Sequence, residues 1–83
     1  MIYRAKIEVS LKPGHSSPEG ETTARLLKEL GYSVEAVDVS KVYTVSIDAA
    51  TLKEAKEKAE EMSKRLLTNP TKDNYTVSIE EQR

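Results

Sequence analysis

Tyr43-Thr44-Val45-Ser46-Ile47 recurs, residue for residue, as Tyr75-Thr76-Val77-Ser78-Ile79. In both copies Tyr, Val and Ile share one parity and the hydroxyl residues share the other, which is the pattern of a strand with one buried face. Internal duplication and two strands meeting the same shape requirement account for the repeat equally well. On either account, both strands show the same three side chains to one core.

Between the copies lies a helix signature. Thr51 and Glu54 form an S/T-x-x-E capping box. Leu52, Ala55, Ala59, Met62 and Leu66 follow at spacings of three and four, which predicts one narrow apolar stripe. Glu54 with Lys58, Glu60 with Lys64 and Glu61 with Arg65 stand four apart on the other face. Asn69-Pro70 stops the helix.

Toward the N-terminus, Tyr3, Ala5, Ile7, Val9 and Leu11 alternate with Arg4, Lys6, Glu8, Ser10 and Lys12, a long strand ended by Pro13-Gly14. Ser16 or Ser17 then serves as N-cap for a helix with Pro18 in its first turn. That helix carries Ala24, Leu27 and Leu30 as its stripe with Leu26 flanking, and Gly31 fits its C′ position. From Tyr32 period two returns with a slip, because Val34 and Ala36 share one parity and Val37 and Val39 the other. A bulge, or a turn at Asp38-Val39-Ser40-Lys41, absorbs the odd residue.

The resulting order is β-α-β-β-α-β. It predicts one α+β domain over residues 1–83 with a ferredoxin-like, four-stranded antiparallel sheet and both helices on one face. The open face would carry Arg4, Lys6, Glu8, Ser10, Val42, Thr44, Ser46, Asn74, Thr76 and Ser78. It is either solvated or a partner surface, and a thin core in a chain of this size favours the partner.

Composition removes whole classes of chemistry. Hydrophobic residues make up 37% of the 83 and charged residues 33%, against a usual charged share of about 25%. Thirteen Lys and Arg nearly balance fourteen Asp and Glu, so nucleic acid and anionic membranes are not expected partners. With no Cys and one His, thiolate metal sites, cysteine nucleophiles and sites needing two imidazoles are excluded. Tyr3, Tyr43 and Tyr75 have core parity, which removes a base-stacking face. His15 sits in a Pro-Gly turn with no sequence-near carboxylate to orient it, and reads as a solvated loop residue. Gly14 and Gly20 make no phosphate-binding loop. No apolar run resembles a signal peptide or a membrane span, which makes a cytoplasmic location the default.

Four segments carry a family resemblance in order. They are Ala5-Lys6-Ile7-Glu8-Val9-Ser10-Leu11-Lys12, then Ser17-Pro18-Glu19-Gly20, then Leu30-Gly31-Tyr32 followed by Val34, Val37 and Lys41, and last Leu66-Leu67-Thr68-Asn69-Pro70 running on to Tyr75. Together they resemble the PurS family, the small subunits of phosphoribosylformylglycinamidine synthase. The chain departs from the family's usual pattern at Asp38-Val39-Ser40, at Thr71-Lys72-Asp73-Asn74, and at Ser63, where a cysteine is frequent.

The resemblance implies a non-catalytic assembly subunit of an ATP-dependent C–N ligase in purine synthesis. It would act as a homodimer, bridging a PurL subunit that binds ATP and magnesium and a PurQ glutaminase, and would aid ammonia transfer between them. The chain itself would bind no cofactor or metal and hold no catalytic residue. Pro18, Glu19, Gly20, Lys41, Leu67, Asn69 and Pro70, which match the family's motifs, are the expected interaction residues; capping and turn chemistry explains Pro18, Asn69 and Pro70 equally well. An ACT-type regulatory domain, with Gly14 placed toward a small ligand at a dimer interface, is the alternative. An acylphosphatase-type enzyme would need an arginine in the loop after the first strand, and Pro13-Gly14-His15-Ser16 has none.

Overall fold

The computed structural model describes residues 1–15 and 17–81. The elements run β1 (Ile2–Leu11), α1 (Pro18–Glu29), β2 (Lys41–Asp48), α2 (Leu52–Met62), a π-helical turn (Ser63–Leu67) and β3 (Asp73–Glu81). The sheet has three strands in the order β2-β1-β3, antiparallel throughout. The repeated pentapeptides are the strands flanking β1. Tyr43 and Val77 both oppose Ile7, and Val45 and Ile79 both oppose Ala5.

The core lies between this sheet and α2. Tyr3, Ala5, Ile7 and Val9 of β1 are buried with Ile47, Ala49, Ala55 and Ala59. Four of these eight residues are alanines, so α2 can lie close to β1 and the core stays thin. Tyr43, Val45, Met62, Leu67, Tyr75, Val77 and Ile79 pack around it half-buried. The inward parity of Tyr3, Tyr43 and Tyr75 is as expected.

Local signals at the helix ends also hold. Gly31 takes φ +97°, and the Gly31 and Tyr32 amides donate to the Lys28 and Leu27 carbonyls, closing a Schellman motif. Ser17 is the N-cap of α1, although its side chain makes no capping bond, and Pro18 opens the helix. Ser16, the other N-cap candidate, lies outside the described residues. Thr51 Oγ1 accepts from the Glu54 amide at 3.1 Å, and Glu54 Oε2 accepts from the Ala50 amide at 3.2 Å.

Three expectations need correction. The first is the fourth strand. Residues 33–40 have no regular secondary structure and pass into β2 with no turn, so they form no hairpin with it. The second is the placement of both helices on one sheet face. Among the described residues, α2 packs on β1 and β3, while α1 lies chiefly against residues 35–38. Leu30 of its expected stripe and the flanking Leu26 are consequently 74% and 48% exposed.

The third correction concerns the end of α2. Leu66 is 83% exposed and Leu52 53% exposed, whereas Leu67 packs on the core. A π turn contains one more residue than an α turn, so it advances the phase of the stripe by one and hands the place of Leu66 to Leu67. Ser63, fully buried, sits in this turn; its Oγ donates to the Ala59 carbonyl, and its own carbonyl accepts from both the amide and hydroxyl of Thr68. On the outer face the Glu54–Lys58 and Glu61–Arg65 pairs form at 3.0 and 2.9 Å. Glu60 instead accepts a 2.7 Å bond from the Tyr75 hydroxyl.

The chain is extended, 51 × 30 × 14 Å, with a radius of gyration of 16.4 Å. A compact domain of this length would have about 12 Å. The additional length comes from α1 and residues 33–40, which form an arm beside the body of sheet and α2.

Candidate interaction surface

Where the arm meets the body, a cleft of about 300 Å³ opens at the end of β1. Pro18 and Glu19 from the start of α1, Lys41 from the start of β2 and Leu67 from the π turn line it together. Four of the seven residues singled out by sequence therefore come to one place. Each is brought there by an element boundary: proline opens a helix, Lys41 is the first ladder residue of β2, and the π turn swings Leu67 inward.

The other three shape the cleft's surroundings. Gly20 is buried against residue 37, and a Cβ there would run into the Val37 carbonyl oxygen. Glycine is required because helix and extended chain approach backbone to backbone. Asn69 and Pro70 build the turn into β3. Asn69 Oδ1 accepts from the Thr71 amide at 2.9 Å, and Asp73 Oδ2 accepts from the Asn69 amide at 2.8 Å. Lys12 ties this turn to the end of β1, its Nζ donating to the Pro70 carbonyl at 2.7 Å and its amide to the Lys72 carbonyl at 2.7 Å.

Sequence reasoning missed Lys72 and Tyr43 as cleft residues and set His15 aside as a loop residue; all three line the cleft. His15 is exposed, as expected. No local signal marks these three as a group, because they come from separate segments joined only by the sheet register. The rim mixes His15, Lys41 and Lys72 with Glu19 and Asp73, a surface suited to polar contact with another protein. The mixed charges agree with the near-neutral total.

Among the described residues, no group of three or more His, Cys, Asp or Glu side chains could hold a metal ion. Among the described residues, two ionisable groups are shifted, both outside the cleft. The Lys58 ammonium hydrogen-bonded to Glu54, together with the Ala50 amide, holds the Glu54 carboxyl below its ordinary value. The bond to Glu60 pushes the Tyr75 hydroxyl up. Among the described residues, no helix is long and apolar enough to cross a membrane.

Comparison with known proteins matches this architecture throughout the chain. Residues 4–81 fit the family model PurS, phosphoribosylformylglycinamidine (FGAM) synthase. The phosphoribosylformylglycinamidine synthase subunit PurS of Methanothermobacter thermautotrophicus is 38% identical over 81 residues, covering 98% of this chain and 96% of that protein. The structure of Thermus thermophilus PurS is similar with a TM-score of 0.89 at 37% identity, with all of both chains covered. A chain of the PurLQS structure from Thermotoga maritima is similar with a TM-score of 0.86 at 26% identity, covering 95% of this chain and 98% of that one. The extended form seen here is thus shared by solved PurS chains, and this protein belongs to the PurS family.

Proposed function

We propose that this chain is a non-catalytic subunit of phosphoribosylformylglycinamidine synthase, acting in the cytoplasm as a homodimer that joins the PurL and PurQ proteins of its own organism. The observation that carries this reading is its likeness, over nearly its whole length, to a chain of the PurLQS structure. In this role the protein supplies shape and leaves ATP, magnesium and glutamine chemistry to its partners.

Pro18, Glu19, Lys41 and Leu67 form the contact surface in this reading, with Gly20, Asn69 and Pro70 holding its walls. Docking matters chemically because ammonia in neutral water is mostly protonated and no longer a nucleophile. A subunit that holds a glutaminase against a synthetase lets ammonia pass before it meets bulk solvent. Residues 1–83 act here as one unit.

Reconstitution tests the proposal. PurL and PurQ proteins of the same organism, mixed with this chain, should make formylglycinamidine ribonucleotide from glutamine, while PurL supplied with ammonium salt should need no addition. Glutamine-dependent synthesis that is the same with and without the chain would refute it.

A further inference from the structure

On the reading of this chain as an assembly subunit, we propose that Thr68 is a positioning residue for the contact surface. Its hydroxyl holds the π turn in the register that puts Leu67, and not Leu66, into the cleft. The two side chains are identical and adjacent, so the end of α2 can bury one leucine in either of two registers. An α turn continued from Met62 would bring Leu66 inward, four residues on. The π turn contains one more residue, so Leu67 packs on the core and Leu66 is left 83% exposed. One leucine is buried either way. Apolar burial therefore does not choose between the registers, and the choice falls to polar contacts.

Those contacts gather on one atom. In an α turn the Ser63 carbonyl would accept from the amide of residue 67. Here it accepts from the Thr68 amide at 3.0 Å and from Thr68 Oγ1 at 2.8 Å. Thr68 has already left the helix, with φ −126° and ψ 153°, which turns its amide and hydroxyl onto the same carbonyl. Ser63 is fully buried, so water cannot replace a donor lost at that carbonyl. The Ser63 hydroxyl is engaged elsewhere, donating to the Ala59 carbonyl at 2.8 Å. The π register thus gives the buried carbonyl two donors where the α register gives one.

The register matters because Leu67 lines the cleft with Lys41 and Tyr43. Thr68 is not a lining residue; it acts through Leu67. Immediately after Thr68, Asn69 opens the turn that Lys12 ties to the end of β1, with the Asn69 amide donating to Asp73 at 2.8 Å and Lys12 Nζ to the Pro70 carbonyl at 2.7 Å. Conversion to the α register takes Leu67 off the cleft wall and leaves a residue of slack ahead of this turn. With burial equal on both sides, one hydrogen bond biases the balance by about two- to tenfold.

Thr68→Val keeps the branched shape and loses the hydroxyl, whereas Thr68→Ser keeps the hydroxyl; circular dichroism checks that both variants retain the sheet. With leucine methyls labelled for NMR, a soluble paramagnetic agent should broaden Leu66 and spare Leu67 in the native protein. Thr68→Val should shrink that difference, and Thr68→Ser should restore it. In a mixture with PurL and PurQ proteins, Thr68→Val should raise the concentration of chain needed for half-maximal glutamine-dependent synthesis by about two- to tenfold. Thr68→Ser should stay near the native value, and PurL activity on ammonium salt should not move. A methyl pattern in Thr68→Val identical to the native one, or a Thr68→Ser as weak as Thr68→Val, overturns the proposal. Exchange of the two leucines with unchanged assembly removes the positioning role. If the native chain supports no glutamine-dependent synthesis at all, the subunit reading falls, and the methyl pattern still decides whether Thr68 sets the turn.

Discussion

The body and the arm of this molecule use the same kinds of residues and reach different ends. In the body, β1 is paired on both sides, and Ala5, Ile7, Ala55 and Ala59 are wholly buried. In the arm, α1 opens on Pro18 and closes on a Schellman motif, and residues 34–39 alternate with one slip, yet Leu30 and Tyr32 are 74% and 62% exposed. Well-formed local structure is thus not sufficient for burial. A helix gains most of its stability from packing its apolar face, and within one chain the arm packs mainly on itself.

The largest expected effect contrasts the two directly. Ile7→Ala opens a cavity at the centre of the body and should cost about 2–5 kcal/mol, read as a lower urea midpoint at any protein concentration. Gly20→Ala forces α1 away from the Val37 carbonyl and should cost about 1–3 kcal/mol. Its cost should appear as weaker self-association in sedimentation, with the sheet signal in circular dichroism retained. If Gly20→Ala lowered the midpoint independently of concentration, the arm would belong to the body's cooperative unit and the distinction would fail.

A finer contrast lies within one helix end. Leu67→Ala removes a half-buried side chain that packs on the core and should cost about 1–3 kcal/mol, while the exposed Leu66→Ala should stay within about 0.5 kcal/mol. Equal costs by chemical denaturation would restore the uninterrupted stripe and contradict the π turn.

The smallest effect is in the capping box. Glu54 has a depressed carboxyl in the folded state, chiefly through its hydrogen bond to Lys58, so the unfolded chain binds a proton there more readily. Its contribution is present above the ordinary carboxyl value of 4.5 and is lost as pH falls through the lower folded value. Melting curves between pH 6 and about pH 3 should show Glu54→Gln losing part of the wild-type acid sensitivity. Identical pH slopes would show that the cap carries no charge contribution.

Much of this was legible in the order of residues. Strand parity for Tyr3 to Leu11 and for both pentapeptides, the Thr51–Glu54 box and the Gly31 stop are encoded within a few neighbours, because side-chain direction and backbone φ are local properties. The site was partly legible. Pro18, Glu19, Lys41 and Leu67 do converge, but Tyr43, Lys72 and His15 join them only because the register of β1 with β2 and β3 brings the three segments to one end. The place of Leu66 was misread because a π turn leaves no mark in a pattern of threes and fours.

By itself, then, the sequence determined the two helices, the three strands of the sheet and the apolar face of each strand. Period two with a slip between Ala36 and Val37 marked an irregular extended stretch at residues 34–39, yet it contained nothing about what that stretch would pair with. Only the tertiary structure decided that the run passes straight into β2. A chain cannot form a ladder with residues it directly continues into unless a turn intervenes, and at residues 38–41 none does.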